Sequence, residues 1–151
     1  LYLETLPSWD ASQKANHFRS IKPLTRLTRL RKLGVECAEF GDGLKPLAKL
    51  RGLRWLGLSC RYPITEIAFL AGLMTRTQCA SFEPYAIDES SFCKCRRCGA
   101  SKALISASLG PRRPWWACPE CNRGYLTEVT AEFERVKERA GRLDRASKRT
   151  R

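Results

Sequence analysis

The sequence predicts an α/β solenoid of parallel strands, followed by a small β-rich cysteine module and a C-terminal amphipathic helix. Three observations carry that expectation. The stretch IKPLTRLTRLRKLGVEC, beginning at Ile21, recurs as LKPLAKLRGLRWLGLSC, beginning at Leu44, at a 23-residue step. Two Cys-x-x-Cys pairs follow the repeat, and after them apolar residues recur every three or four positions among many arginines. A fixed period of roughly 20–29 residues is the signature of a stacked repeat, each unit giving one short strand and one return segment.

Within the first unit Ile21, Leu24, Leu27, Leu30 and Leu33 are spaced by three, and Val35 and Cys37 then follow at steps of two. A step of three keeps apolar groups on one face of a 3₁₀ or helical turn, and a step of two keeps them on one face of a strand. The second unit repeats this with Leu44, Leu47, Leu50, Leu53 and Leu56, then Leu58 and Cys60. Stacking aligns these rows and buries leucines that one unit could not bury alone. A third unit begins at Ile67 with Phe69, Leu70 and Leu73, but Arg76 stands where a leucine is expected and the strand reads loosely as CASFE, residues 79–83. This is the expected form of a degenerate closing unit, since a terminal coil has water on its outer side. At the other end LYLET parallels LGVEC and makes Leu1 the counterpart of Leu33. The chain is therefore expected to begin inside a repeat and to be the C-terminal part of a longer protein or a trimmed piece of one, with SWDASQKANHF as an insertion or a longer return helix.

The phrases IKPLTRLTRL and LKPLAKLRGL resemble the short leucine-rich repeats of the internalin class, whose return segment also carries a Pro-Leu. The resemblance covers residues 1–83. It implies protein binding by a concave strand face and no catalytic residue. Cys37 and Cys60 depart from it, standing where the family carries an Asn ladder, and they read as buried thiols stacked in neighbouring coils.

Alternation then assigns the outward positions. With Leu33, Val35 and Cys37 inward, Gly34 and Glu36 project from the strand and Arg31 and Lys32 flank it; in the next unit the equivalents are Gly57, Ser59, Arg54 and Trp55. A large aromatic beside arginines on an exposed sheet has the composition of an interface hot spot. Arg31, Lys32, Glu36, Arg54, Trp55 and Ser59 are accordingly the candidate partner-binding residues. Packing of Trp55 on its neighbours or on the downstream module is the other reading.

Past residue 83, EPYAIDESS is polar and contains a proline, so 84–92 reads as a linker. Cys95 and Cys98 in CRRCG, and Cys118 and Cys121 in CPECN, are then separated by nineteen residues. Each short turn can point two thiolates at one tetrahedral ion, and this spacing resembles the zinc ribbon over residues 93–126. One structural Zn²⁺ is expected, because four sulfur ligands leave no open position for a reacting water. Cys93 makes the local sequence CKCRRC and is either a competing ligand or a spare thiol. The segment between the pairs, SKALISASLGPRRPWWA, offers two strands around GPRRP. Zinc thiolates imply a reducing, cytoplasmic setting.

Residues 127–151 read as a basic amphipathic helix and tail, with Val129, Phe133, Val136, Ala140 and Leu143 as the apolar stripe and DRASKRTR expected to fray. Glutamates early and arginines late agree with the helix macrodipole. The formal charge of the chain is +13, and residues 135–151 carry eight Lys or Arg against two acids. This tail is either a solvated helix end or an electrostatic contact for nucleic acid or an acidic partner, the latter in company with Arg96, Arg97, Arg112, Arg113, Trp115 and Trp116. The tandem tryptophans either stack bases or pack under the hairpin.

The function expected from these features is a non-enzymatic protein-protein interaction module, with the repeat face binding a partner and the ribbon capping the array; a subunit of a larger assembly, an adaptor and a neutralising partner of a toxin or effector all fit it. The alternative is a nucleic-acid-binding protein that uses the ribbon and tail. His17 is the only histidine, it lies in the polar insertion, and the sequence holds no carboxylate pair, nucleophile elbow or phosphate-binding glycine loop, so no catalytic residue is assigned. No run of about 18 apolar residues marks a membrane span.

Overall fold

Proline near the start of each return segment sets its local geometry. The computed structural model describes residues 1–4, 16–36, 38–58, 62–90, 93–106 and 116–149. In it the leucines spaced by three lie on two 3₁₀ turns, Lys22–Arg26 and Lys45–Lys49, each with Pro in the first turn, where a missing N–H leaves no bond unmade. Each turn is capped from the following unit. The Ile21 N–H donates to Asp42 Oδ1 at 2.9 Å, and the Leu44 N–H donates to Glu66 Oε2 at 2.6 Å.

Strands β1 (Tyr2–Glu4), β3 (Lys32–Glu36) and β5 (Trp55–Leu58) form a parallel sheet in the order β1-β3-β5, and β2 (Asn16–Phe18) pairs in parallel with β4 (Ala38–Phe40). The 23-residue step of the sequence becomes the register of β3 on β5, with Leu33 opposite Leu56 and Val35 opposite Leu58. A third sheet is antiparallel, β6 (Tyr85–Ile87), β7 (Ala103–Ile105) and β8 (Trp116–Ala117) in the order β6-β7-β8. Helices α1 (Ile64–Leu73) and α2 (Arg123–Arg149) complete the described elements.

This overturns the expected parallel-strand solenoid. The described residues form three small, separate sheets, one of them antiparallel, together with two helices. The reason is local. Past Trp55 the parallel pairing shrinks to a single bridge to Gln78, and the segment read as the strand CASFE instead turns as a 3₁₀ helix, Ala80–Phe82. Arg76 is exposed and Gln78 is exposed, so this stretch lacks the inward apolar row that would hold a further strand in register. The apolar residues of the third unit go into α1 instead, where Ile67 and Leu70 are fully buried. Tyr85–Ile87, in the segment read as linker, is an edge strand.

A C-terminal helix is present and begins at Arg123, four residues before the sequence places it, directly after the second cysteine pair. Val129, Phe133 and Ala140 are buried, Val136 is half-buried, and Leu143, expected in the same stripe, is 58 % exposed. The helix packs on α1 at Gly72, where an added Cβ would overlap the Lys137 carbonyl and lie 2.9 Å from Ala140 Cβ. Arg51 Nη2 meets Asp144 Oδ1 at 2.9 Å and ties the loop after the second 3₁₀ turn to the same helix. One apolar cluster therefore runs from Ile21, Leu33, Leu44 and Leu56 through Ile67 and Leu70 to Ile105 and Phe133. Each large side chain fully withdrawn from water in this way contributes about 1.5–3 kcal/mol. No helix among the described residues is long and apolar enough to cross a membrane.

Candidate metal centre

The two cysteine pairs are brought together by the β7–β8 pairing. Cys95 and Cys98 lie just before β7, and Cys118 and Cys121 lie just after β8. Because Ala103 pairs with Ala117 in antiparallel register, the entrance to one strand and the exit from the other fall at the same end of the sheet. A bridge between Lys94 and Ser101, with Lys94 Nζ donating to Ser101 Oγ at 2.8 Å, closes the first turn on itself.

Inside that turn the Cys95 N–H donates to the Ala100 carbonyl and the Gly99 N–H donates to the Cys95 carbonyl, both at 2.8 Å. Gly99 has φ +75°, a left-handed conformation that a Cβ penalises, and nothing lies within 4 Å of where that Cβ would be. The glycine is required by the backbone and not by crowding. The second turn is held by the Cys118 N–H donating to Asn122 Oδ1 at 3.1 Å and the Asn122 N–H donating to the Cys118 carbonyl at 2.8 Å. The Leu126 N–H then donates to the Asn122 carbonyl and starts α2.

The four sulfurs all lie within 4.8 Å of one another. Cys98 Sγ and Cys118 Sγ are 3.4 Å apart, and Cys95 Sγ and Cys121 Sγ are 3.9 Å apart. Disulfide sulfurs would stand about 2.05 Å apart. A tetrahedron of sulfurs about 2.3 Å from a central ion requires separations of about 3.8 Å. The residues present therefore fit one four-coordinate metal ion, and these four cysteines could hold it.

Electrostatics point the same way. The backbone N–H groups of Arg97 and Cys98 hold the Cys95 thiol down to about 6. Hydrogen bonding to the Cys98 sulfur, with burial and the other thiols, pushes Cys121 up to about 12. Cys98 is lowered by the Ala100 N–H, but Cys118 and burial raise it further and prevail. Four thiols this close cannot all ionise in each other's company, and a divalent cation at their centre removes that conflict. Cys93 falls outside the group; its thiol reaches the Asp88 carboxylate, which Ser90 first and Cys93 after it hold below the usual carboxylate range.

The candidate partner surface lies on β3 and β5. Lys32 and Trp55 are register partners, and the Arg31 carbonyl accepts from the N–H of both Arg54 and Trp55 at 2.8 and 3.1 Å. Lys32, Arg31 and Arg54 are exposed, and Trp55 is half-buried. The Trp55 ring lies over Gly57, where a Cβ would come within 2.6 Å of it, and Arg31 Nη1 donates to the Gly52 carbonyl at 2.8 Å. Trp55 thus leans on its own strand at Gly57. Glu36 pairs with Glu4 in the β1–β3 register. Ser59, Cys37 and Cys60 lie outside the described residues, as do Arg112, Arg113 and Trp115. Arg96 and Arg97 are exposed on the first cysteine turn, and Trp116 is 39 % exposed on β8. His17 is exposed, with Nδ1 3.2 Å from Glu39 Oε2.

Sequence reasoning missed the carboxylate caps of Asp42 and Glu66 and the helix crossing at Gly72. Both caps precede an apolar return segment, but they stand 24 residues apart and so break the period that draws the eye. Comparison of the chain with family models, curated proteins and solved structures finds no match in any of the three.

Proposed function

We propose that this chain is a non-enzymatic protein-binding module in which Cys95, Cys98, Cys118 and Cys121 hold one structural zinc ion and the Trp55 face of the β1-β3-β5 sheet takes a protein partner. The observation that carries this reading is that exposed Lys32 and half-buried Trp55 are register partners on two paired strands, with exposed Arg54 next to Trp55 in the chain. An indole flanked by cations, supported from below by glycine backbone, is the kind of rigid anchor around which interface energy concentrates. Zinc is favoured over other ions by the all-sulfur, tetrahedral donor set, and a closed shell of this kind stabilises structure and activates no water. Thiolate ligation also fits a reducing compartment such as the cytoplasm.

The test is an affinity capture with the intact, zinc-loaded protein, read by mass spectrometry against Trp55→Ala and Arg54→Ala. Partners recovered with the parent protein are expected to weaken by about 10-fold or more with Trp55→Ala, as for a hot-spot residue. Unchanged recovery with both variants would end the assignment of this face.

A further inference from the structure

We propose that a second surface, formed by Arg96, Arg97 and Trp116 at the metal end of the antiparallel sheet, binds single-stranded nucleic acid without sequence preference. This surface is separate from the Trp55 face. It relies on the metal to hold the cysteine turns, so zinc content is part of its test.

The indole comes first. Ala117 is 2 % exposed and pairs with fully buried Ala103, so alternation turns Trp116 and its register partner Leu104 to the opposite, outer face. The Trp116 indole makes no hydrogen bond with the described residues, and the residue keeps 39 % of its surface in water. The cysteines bring the turn that carries the arginines to the end of its strand. Arg97 adjoins Cys98 and Trp116 is two residues from Cys118, and those two sulfurs are 3.4 Å apart.

The second observation concerns which cations are free. Along α2 and beside it, Arg123 pairs with Glu120 at 3.2 Å, Arg135 with Glu132 at 2.7 Å, Lys137 with Glu134 at 3.1 Å and Arg142 with Glu138 at 3.5 Å. Such surface pairs add little stability, but a phosphate approaching them meets a carboxylate as well as a cation. Arg96 and Arg97 form no ion pair with the described residues. Residues 93–123 contain seven Lys or Arg against the single acid Glu120. Arg135, Lys137 and Arg142 of the tail thus stand paired with glutamates, whereas Arg96 and Arg97 do not.

Chemistry selects the ligand. A guanidinium offers phosphate a bidentate fork, and an exposed indole offers a base a stacking face. Stacking is open only to unpaired bases, which is why a single strand is chosen over a duplex. An acidic polypeptide would satisfy the arginines but gain nothing from the ring. A zinc tetrathiolate would carry about −2, and the two guanidiniums offset part of it; that role needs no exposed indole.

The experiment is fluorescence anisotropy of a labelled oligo-dT of about 12 nucleotides with the full, zinc-loaded chain across a salt series, a length within single-strand site sizes. Arg96→Gln with Arg97→Gln is expected to weaken binding at least 10-fold and to reduce the slope of log K against log salt by about 1.4, or about 0.7 for each phosphate no longer neutralised. Trp116→Ala is expected to weaken binding about 5- to 150-fold with the salt slope unchanged, and Trp116→Phe to retain most of the affinity. Arg142→Ala on α2, where the guanidinium is paired with Glu138, should leave binding unchanged, and all variants should keep their zinc. Unchanged affinity in Trp116→Ala with zinc retained would overturn the proposal. So would tighter binding of duplex, or displacement of the oligonucleotide by polyglutamate or inorganic polyphosphate as readily as by unlabelled oligo-dT.

Discussion

The leucine rows and the cysteine turns hold their shape by different means. Of the largest fully buried side chains among the described residues, nine lie between Ile21 and Leu70, whereas only Ile105 lies between Cys93 and Asn122. The first region has enough buried apolar surface to fix its strands and turns directly. The second is too small and too polar to do so, and its four thiols stand where a cation can replace the missing core. Sequence of the first region is therefore constrained over a long stretch by period, and sequence of the second at four positions by ligand chemistry.

The largest expected effect comes from removing the ion. Cys95→Ser together with Cys118→Ser, one ligand from each turn, should take zinc from about one per chain to none, measured by metal analysis of protein purified without chelator. Amide hydrogen exchange should then speed up across residues 93–122 and the first turn of α2, while the amides of β3 and β5 keep their protection. If β3 and β5 became equally unprotected, the two regions would be one cooperative unit and the contrast between them would fail.

A smaller effect is expected where the regions meet. Gly72→Ala places a methyl group against the Lys137 carbonyl and the Ala140 side chain, so α1 and α2 must separate. Overpacking of this kind costs about 1–3 kcal/mol, or a fall of roughly 2–10 °C in Tm for a chain of this size. Gly141→Ala is the matched comparison on the other helix, because its nearest neighbour outside α2, the Gly72 carbonyl, is 3.5 Å from the added Cβ, an ordinary contact. It should raise stability by up to about 1 kcal/mol through helix propensity alone. Equal thermal shifts for the two variants would show that the crossing at Gly72 is not close-packed.

The contrast also explains what is legible in the residues alone. The 23-residue step announces the Leu33–Leu56 register, and the Cys-x-x-Cys spacing announces the four-sulfur cluster, because each signal is a local chemical requirement repeated at a fixed interval. The period misleads about the overall architecture when it is extended past its last apolar row. Arg76 and Gln78 carry no inward apolar partner, and the chain leaves the parallel sheet there for a 3₁₀ turn and an antiparallel edge strand. The start of α2 escapes the pattern because Cys121 and Asn122 set it, through the Leu126 to Asn122 bond, and no apolar periodicity marks that turn. In the heavily charged tail Arg135, Lys137 and Arg142 pair with glutamates three and four residues away, which a count of charges does not show.

The finest test of the contrast uses acid. Asp42 accepts from the Ser20 hydroxyl at 2.6 Å and from the Ile21 N–H at 2.9 Å, with Lys22 Nζ 3.8 Å away. These contacts, the Ser20 hydroxyl first, hold its carboxyl below the usual carboxylate range. A carboxyl whose folded value lies below its unfolded value contributes stability above the unfolded value, about 3.9, and that contribution fades as pH falls through the folded one. Asp42→Asn should therefore lower the urea midpoint at pH 7, and the gap to the parent protein should close below about pH 4. An ion held by the four cysteines would respond to acid by another route, since thiolates must be deprotonated to bind a metal and the proposed zinc would be released as they protonate. Zinc release, followed with a chromogenic chelator, should be the same in Asp42→Asn as in the parent protein. If the substitution moved the release curve, the cap on the first 3₁₀ turn and the thiolates would be coupled through the packed helices, and the two regions would answer to pH as one.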